Sequence, residues 1–334
     1  MNITFFEENN VEETEIRKAL KGNKLKFSNE PLSKSNFKIA KDSEVVVIFI
    51  NSTVDKAILK LLPKLKLIVT RSTGFDHIDL KECKKRKILV SNIPTYGENT
   101  VAEHAFALLL DLSRNIHKSF MRISENNFSI EGLKGFDLRG KTIGVVGVGN
   151  IGEHVIRIAK GFEMNVLAFD MKKSLKLQRK LKFKYVSLEN LLKNSDIVTL
   201  HVPLNKKTKH LINKKTIKLM KPNSILINTS RGEIVDTDSL FLALEKEKIR
   251  GAGLDVIEGE KMIKEEKELL HLSNEHHYKK LKEAIDCYTI LHNEKVIFTP
   301  HIAFYSSEAL QRIRETTIEN IKSFIENNPK NLVK

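Results

Sequence analysis

Thr142-Ile143-Gly144-Val145-Val146 runs directly into Gly147-Val148-Gly149-Asn150-Ile151-Gly152. The first five residues form a short apolar run. The next six carry three glycines at GxGxxG spacing, after which Ile151, Val155, Ile158, Ala159 and Phe162 recur at helical intervals. Strand, glycine turn and helix is the context that gives such a match meaning. The first glycine makes the tight turn, the second lets backbone approach a pyrophosphate, and the third lets helix pack closely on strand. The helix N-terminus then attracts the phosphate charge. A second apolar run, Asn165 to Phe169, ends on Asp170. An acid placed roughly 20 residues beyond the glycines accepts the ribose hydroxyls of NAD. The sequence therefore reads as a dinucleotide site. The competing reading is a glycine turn in an unrelated α/β sheet, with Asp170 a solvated strand end.

Outward from this point the chain alternates strand-like and helix-like segments. Beyond residue 138, strands are expected at 142–146, 165–169, 197–201, 224–228, 253–256 and 296–299, with helices between most of them, for example 238–248. Before it, strands are expected at the N-terminus (Met1 to Phe6), 45–50, 65–70 and 88–91, with a helix at 55–62 stopped by Pro63. Such alternation argues parallel sheets with the strand C-termini along one ligand-binding edge. The expected fold is α/β: a doubly wound, parallel Rossmann-type sheet plus a second, smaller flavodoxin-like α/β domain. Because the glycine motif comes late and a helix-like segment, 307–326, follows the last strand, the smaller domain is expected to be discontinuous. Its expected parts are residues 1–100 and 302–334, with the NAD-binding domain at 101–301. The stretch 101–117 has no glycine or proline and is apolar on most faces. It predicts a buried helix packed against its counterpart in a homodimer.

Bulk properties exclude several classes. A chain of 334 residues, 41% hydrophobic and 30% charged, has material for about two domains. No apolar run approaches the roughly 20 residues of a membrane span, and no secretory leader pattern is present. Cys83 and Cys287 make neither a metal spacing nor a disulfide framework, and no HxxxH or HExxH occurs, so no metal site is expected. A cytoplasmic location fits these features. The net charge of +15 is spread along the chain, without a zinc finger, an aromatic RNA-binding pattern or a basic arm. No specific nucleic acid and no membrane partner is expected.

Three polar residues stand just beyond expected strands: Arg231, Glu260 and His301. A guanidinium grips a carboxylate bidentately. Histidine is the usual proton carrier near neutral pH, and a paired carboxylate stabilises its imidazolium. Taken singly, each also reads as an ordinary surface or core residue.

Together the segments resemble the D-isomer-specific 2-hydroxyacid dehydrogenases. The resemblance is carried by Ser72-Thr73-Gly74-Phe75-Asp76-His77-Ile78-Asp79, Asn99-Thr100-Val101-Ala102-Glu103-His104-Ala105, the glycine loop, His201-Val202-Pro203, Asn228-Thr229-Ser230-Arg231-Gly232, Leu254-Asp255-Val256 and Thr299-Pro300-His301-Ile302-Ala303. It implies a hydride transfer between NAD and a small 2-oxo or 2-hydroxy acid. It makes Arg231 the substrate arginine, Glu260 the acid beside the histidine, and His301 the proton donor. It places Gly147, Gly149, Asn150, Ile151, Gly152, Asp170, Val202, Pro203, Thr208, Thr229, Ser230 and Asp255 against NAD. The backbone of Thr73 and Gly74 would hold the substrate carboxylate. Ile302-Ala303-Phe304-Tyr305 after the histidine, and Tyr96, resemble the D-lactate dehydrogenase branch, with Tyr96, Phe304 and Ser52 around the substrate side chain. Ser52 stands where similar lactate enzymes carry a larger aromatic group, which would widen the space toward longer 2-oxo acids. Pyruvate reduction to D-lactate is the favoured activity. A longer 2-oxo acid, hydroxypyruvate or glyoxylate, and an NAD-sensing corepressor-like regulator on the same fold, are the alternatives.

Overall fold

The computed structural model describes residues 1–8, 10–259, 285 and 287–333. They divide into two units, Met1–Tyr96 with Ser306–Lys334, and Gly97–Tyr305. The divisions lie a few residues from the expected 100 and 302. A helix starting at Glu98 packs on elements of the second unit, and the backbone of Ile302 and Ala303 is hydrogen-bonded to Asp255 there.

The first unit contains β1 (Asn2–Phe5), α1 (Asn10–Ala19), β2 (Lys24–Phe27), β3 (Val45–Ile48), α2 (Lys56–Leu61), β4 (Leu67–Thr70), α3 (Leu80–Lys85) and β5 (Leu89–Ser91), and ends with the helix Ser307–Ile325. Its parallel sheet runs β2-β1-β3-β4-β5. That is the flavodoxin-like order. The central strands VVVI and LIVT are buried at every residue, as expected for strands covered on both faces. β2, with lysine at alternate positions, is the edge.

The second unit contains α4 (Glu98–Arg114), α5 (Ile116–Ser124), β6 (Thr142–Val146), α6 (Asn150–Gly161), β7 (Asn165–Phe169), α7 (Leu175–Leu181), β8 (Lys184–Tyr185), α8 (Leu188–Asn194), β9 (Ile197–Leu200), α9 (Lys214–Ile217), β10 (Ile225–Asn228), α10 (Thr237–Glu245), β11 (Gly251–Leu254) and β12 (Val296–Phe298). Its sheet is parallel throughout, in the order β12-β11-β10-β9-β6-β7-β8. The order reverses between β6 and β9. That is the switch point where a doubly wound sheet opens a crevice at its strand C-termini.

The apolar stretch after residue 98 is two helices, not one. Asn115 takes a left-handed backbone, φ 52°, and ends α4 before α5 begins. Asparagine tolerates that conformation, so no glycine or proline marks the break. Nor does α4 need a second subunit to cover it. Val101, Ala102, Ala105, Phe106, Leu108, Leu109 and Leu112 are buried within their own unit, against β10, β11 and α6. A Cβ added at Gly253 of β11 would run into Leu108, and one at Gly251 would touch Leu112 and overlap the Lys295 carbonyl oxygen, so Gly253 sets how closely α4 lies on the sheet. Each buried leucine or phenylalanine contributes on the order of 1.5–3 kcal/mol, which makes this docking firm. Exposed apolar residues lie instead on α5 and just beyond it: Ile116, Phe120, Met121, Ile123, Phe128 and Ile130. Among the described residues no helix is long and apolar enough to cross a membrane.

Candidate active site

The three glycines of the opening motif have three separate geometries. Gly147 sits at φ +95°, and a Cβ there would overlap the carbonyl oxygen of His201. Gly152 lies in the first turn of α6, where a Cβ would overlap the carbonyl oxygen of Gly147. Gly149 caps α6 and is exposed, with nothing within 4 Å of where a Cβ would stand. Two glycines thus let chain approach chain, and the third leaves space beside the unbonded amides of a helix N-terminus. Those are the requirements of a pyrophosphate cradle.

Asp170 closes the cradle on one side. One carboxylate oxygen accepts from the Val148 amide at 2.7 Å and the other from the Lys172 amide at 2.7 Å. The acid is thereby fixed at the C-terminal end of β7, beside the glycine turn. On the other side β9 leads into His201, Val202 and Pro203. Thr208, expected at the cofactor, spends its hydroxyl on the same turn: it donates to the Pro203 carbonyl at 2.6 Å and accepts from the Asn205 amide at 2.8 Å. After β10, the Asn228 side chain organises the next turn. Its oxygen accepts from the Ser230 amide and hydroxyl, and its nitrogen donates to the Arg231 carbonyl at 2.9 Å. Thr229 is 8% exposed, and its buried hydroxyl has no partner among the described residues. An orphaned polar atom at a strand end, next to an open glycine cradle, fits a site built for a polar cofactor.

Arg231 is half-buried and donates from one guanidinium nitrogen to the Ser230 carbonyl at 2.8 Å. Its neighbour Gly232 lies against the backbone of Ile257 and Glu258 so closely that any Cβ would overlap it. The segment crossing here is fastened from the other side by His210, whose Nε2 lies 2.8 and 2.9 Å from the two Glu258 carboxylate oxygens. Glu260, the expected acid beside the histidine, lies outside the described residues.

His301 also takes a left-handed backbone, φ +58°, a conformation that must be held by its surroundings. Asp255, only 1% exposed, does this. Its backbone carbonyl accepts from the His301 amide at 2.9 Å. One carboxylate oxygen accepts from the Ile302 amide at 2.9 Å and the Thr299 hydroxyl at 2.6 Å, and the other from the Ala303 amide at 2.9 Å. His104, from α4, places Nε2 2.9 Å from that same hydroxyl. Burial holds the His104 imidazole below its usual pKa, although Asp255 lies 3.6 Å away. His104 and Thr299 stand inside longer motifs that give neither a role, and neither spacing nor residue type predicts that the two meet across 195 positions.

Other expected site residues lie in the first unit, apart from Phe304, which is 8% exposed in the second. The amides of Thr73 and Gly74 donate to no acceptor among the described residues, while the surrounding loop is fixed: Ser72 donates to the Gly74 carbonyl at 2.6 Å, Thr73 to the Ile93 carbonyl at 2.8 Å, and Asn92 to the Thr73 carbonyl at 2.9 Å. Two free amides on a fixed loop suit a carboxylate. Tyr96 is partly buried, and its carbonyl accepts from Arg312 at 2.5 Å. Ser52 differs from its expected part. It is fully buried, and its hydroxyl is committed to Glu7 at 2.6 Å and the Leu32 amide at 2.9 Å. It shapes the loop after β3 rather than presenting a free face.

The family model for the NAD-binding domain of D-isomer specific 2-hydroxyacid dehydrogenases matches residues 106–303. The chain is 36% identical to the D-lactate dehydrogenase of Escherichia coli over 304 residues, covering 90% of this chain and 89% of that one. It is 38% identical to the glyoxylate reductase of Thermococcus litoralis over 301 residues, covering 88% and 84%. Among solved structures, the D-lactate dehydrogenase of Aquifex aeolicus, complexed with NAD and lactic acid, aligns with a TM-score of 0.88 at 38% identity, over 98% of this chain and 96% of that one.

Proposed function

Because the chain belongs to the D-isomer-specific 2-hydroxyacid dehydrogenases, and is an NAD-dependent oxidoreductase, we propose that it reduces a small 2-oxo acid with NADH, pyruvate to D-lactate being favoured. The observation that carries this reading is the pair of strand-end turns: one presents Arg231, the other holds His301 in a single strained backbone geometry through Asp255. In the proposed reaction Arg231 takes the substrate carboxylate and polarises the ketone. The free amides of Thr73 and Gly74 offer a further carboxylate grip. The bound dinucleotide supplies the hydride. His301 gives its proton to the forming alkoxide, and Glu260 stabilises the imidazolium before the transfer. Phe304 and Tyr96 favour a small or apolar side chain on the substrate. Glyoxylate is the second reading, since one relative of similar identity carries that activity in its name.

A panel of 2-oxo acids assayed with NADH and NADPH tests the proposal. Pyruvate or a slightly longer 2-oxo acid is expected to turn over fastest and to give the D-product. NADH is expected to outperform NADPH, because the fixed Asp170 carboxylate repels a 2′-phosphate. An L-product would reject the reading of the site. Equal turnover with NADPH would reject the role of Asp170.

We further propose a homodimer. With α4 covered by its own unit, support for it shifts to α5. Ile116, Phe120 and Ile123 fall on one helical face, and Arg122 donates to the carbonyls of Ser129 at 2.6 Å and Glu131 at 2.7 Å, holding the segment that carries Phe128 and Ile130 beside that helix. Monomers rarely expose contiguous apolar patches above a few hundred Å², and two-fold pairing is the commonest closed assembly. Light scattering at micromolar concentration is expected to give twice the chain mass. A Phe120→Glu, Phe128→Glu double variant is expected to give the monomer. A monomeric mass for the unaltered chain would reject this assembly and leave the chemistry standing.

A further inference from the structure

We propose that His104 is a positioning residue for the proton donor: it orients the Thr299 hydroxyl, which locks the Asp255 carboxylate that holds the backbone turn of His301. The inference rests on the reading of His301 as that donor.

The hydrogen-bond directions follow from elementary bookkeeping. A hydroxyl has one proton. Thr299 spends it on Asp255, 2.6 Å away, whose two carboxylate oxygens also accept from the Ile302 and Ala303 amides. Its oxygen is then left as an acceptor toward His104, 2.9 Å away. His104 must therefore carry its proton on Nε2. Burial lowers the pKa of that imidazole, and the contact serves to orient the hydroxyl dipole. A rotated Thr299 hydroxyl would leave that oxygen of the carboxylate, which is 1% exposed, with the Ile302 amide as its remaining donor. Asp255 spends its remaining bonds on the amides of Ile302 and Ala303, so a loosened Asp255 releases the turn on which His301 stands.

The scaffold behind His104 is rigid. His104, Leu108 and Leu112 lie one helical turn apart on α4. The two leucines seat on the glycines of β11, and β11 ends at Leu254, immediately before Asp255. One stripe of α4 thus grips the strand and reaches its C-terminal end. A leucine at 104 would continue the apolar stripe; the histidine breaks it where the helix meets Thr299.

The test is steady-state kinetics on the full chain, with NADH affinity measured separately by fluorescence titration. His104→Leu and Thr299→Val are expected to lower kcat for oxo-acid reduction about tenfold, since small misplacements of a reacting group are felt at that scale or above. NADH affinity should stay within about twofold. His104→Gln, whose amide can still donate to Thr299, and Thr299→Ser, which keeps the hydroxyl, are expected to recover most of the loss. In a His301→Ala background, His104→Leu should cost nothing further in kcat, because residues acting through one group are not additive. The proposal is overturned by an additive loss in that background, by NADH affinity falling in parallel with kcat, or by unchanged kcat in both variants. Should His104→Leu fail to fold, Thr299→Val and Thr299→Ser decide between the same outcomes without touching α4. Unimpaired turnover of His301→Ala alone would remove the proton-donor reading itself, a result separate from any of these.

Discussion

Alanine at position 301 is expected to lower kcat for oxo-acid reduction by about 10²–10⁴-fold, the usual contribution of a positioned general acid, and to leave NADH binding almost unchanged. The structure explains why the substitution is clean. Alanine, like histidine, carries a Cβ at φ +58°, so the substitution does not relieve the left-handed strain. The bonds that hold the turn run between Asp255 and the backbone amides of His301, Ile302 and Ala303. All of them survive loss of the imidazole. The glycine cradle and Asp170 stand on other strands, and their hydrogen bonds do not involve the 301 side chain. The proton donor is removed while that backbone framework stays in place. Near-normal turnover by His301→Ala, with NADH affinity intact, would show that another group protonates the alkoxide. Asp255→Asn makes the contrasting case. It replaces one acceptor oxygen with a donor facing an amide, and is expected to impair both the turn and folding stability.

What could be read in advance follows from which signals are local. β6 and β7 stand at the residues anticipated, because a buried parallel strand is a continuous apolar run and glycine or aspartate ends it sharply. β11 was anticipated at 253–256 but spans Gly251–Leu254. Gly251-Ala252-Gly253 has little strand propensity of its own; it is a strand because it pairs between β10 and β12. β2 went unseen because its lysines alternate with Leu25 and Phe27 at an edge. The break at Asn115 went unseen because asparagine takes the left-handed conformation without announcing it. The same limit governs the site. Motifs name Arg231 and His301, and their spacing places both after strands. They do not say that Asn228 fastens one turn and Asp255 the other, or that Ser52 is consumed by Glu7. Those are tertiary meetings, fixed by the order in which strands pair.

The glycine motif yields the second large effect, and its three positions separate folding from binding. Gly147→Ala and Gly152→Ala are expected to destabilise the second unit before any cofactor is considered. A methyl at 147 meets the His201 carbonyl and must also adopt φ +95°; one at 152 meets the Gly147 carbonyl. The obstacles are backbone atoms at the join of β6 and α6, which cannot rotate aside as a side chain can. Overpacking typically costs about 1–3 kcal/mol, and these two sites belong at or above the upper end. Gly149→Ala differs in kind. Its φ is −81° and nothing stands within 4 Å of the added methyl, so the folded chain tolerates it. The open space there is what a pyrophosphate needs. Gly149→Ala is therefore expected to melt within a few degrees of the unaltered chain, while NADH affinity drops about tenfold or more, equivalent to about 1.4 kcal/mol. Thermal melts without cofactor and fluorescence titration with NADH read the two quantities independently. An unchanged NADH affinity in Gly149→Ala would mean that no phosphate approaches this turn, and the assignment of the cradle would fall with it. A normal melt for Gly152→Ala would mean instead that helix and strand stand farther apart than their backbone contact shows.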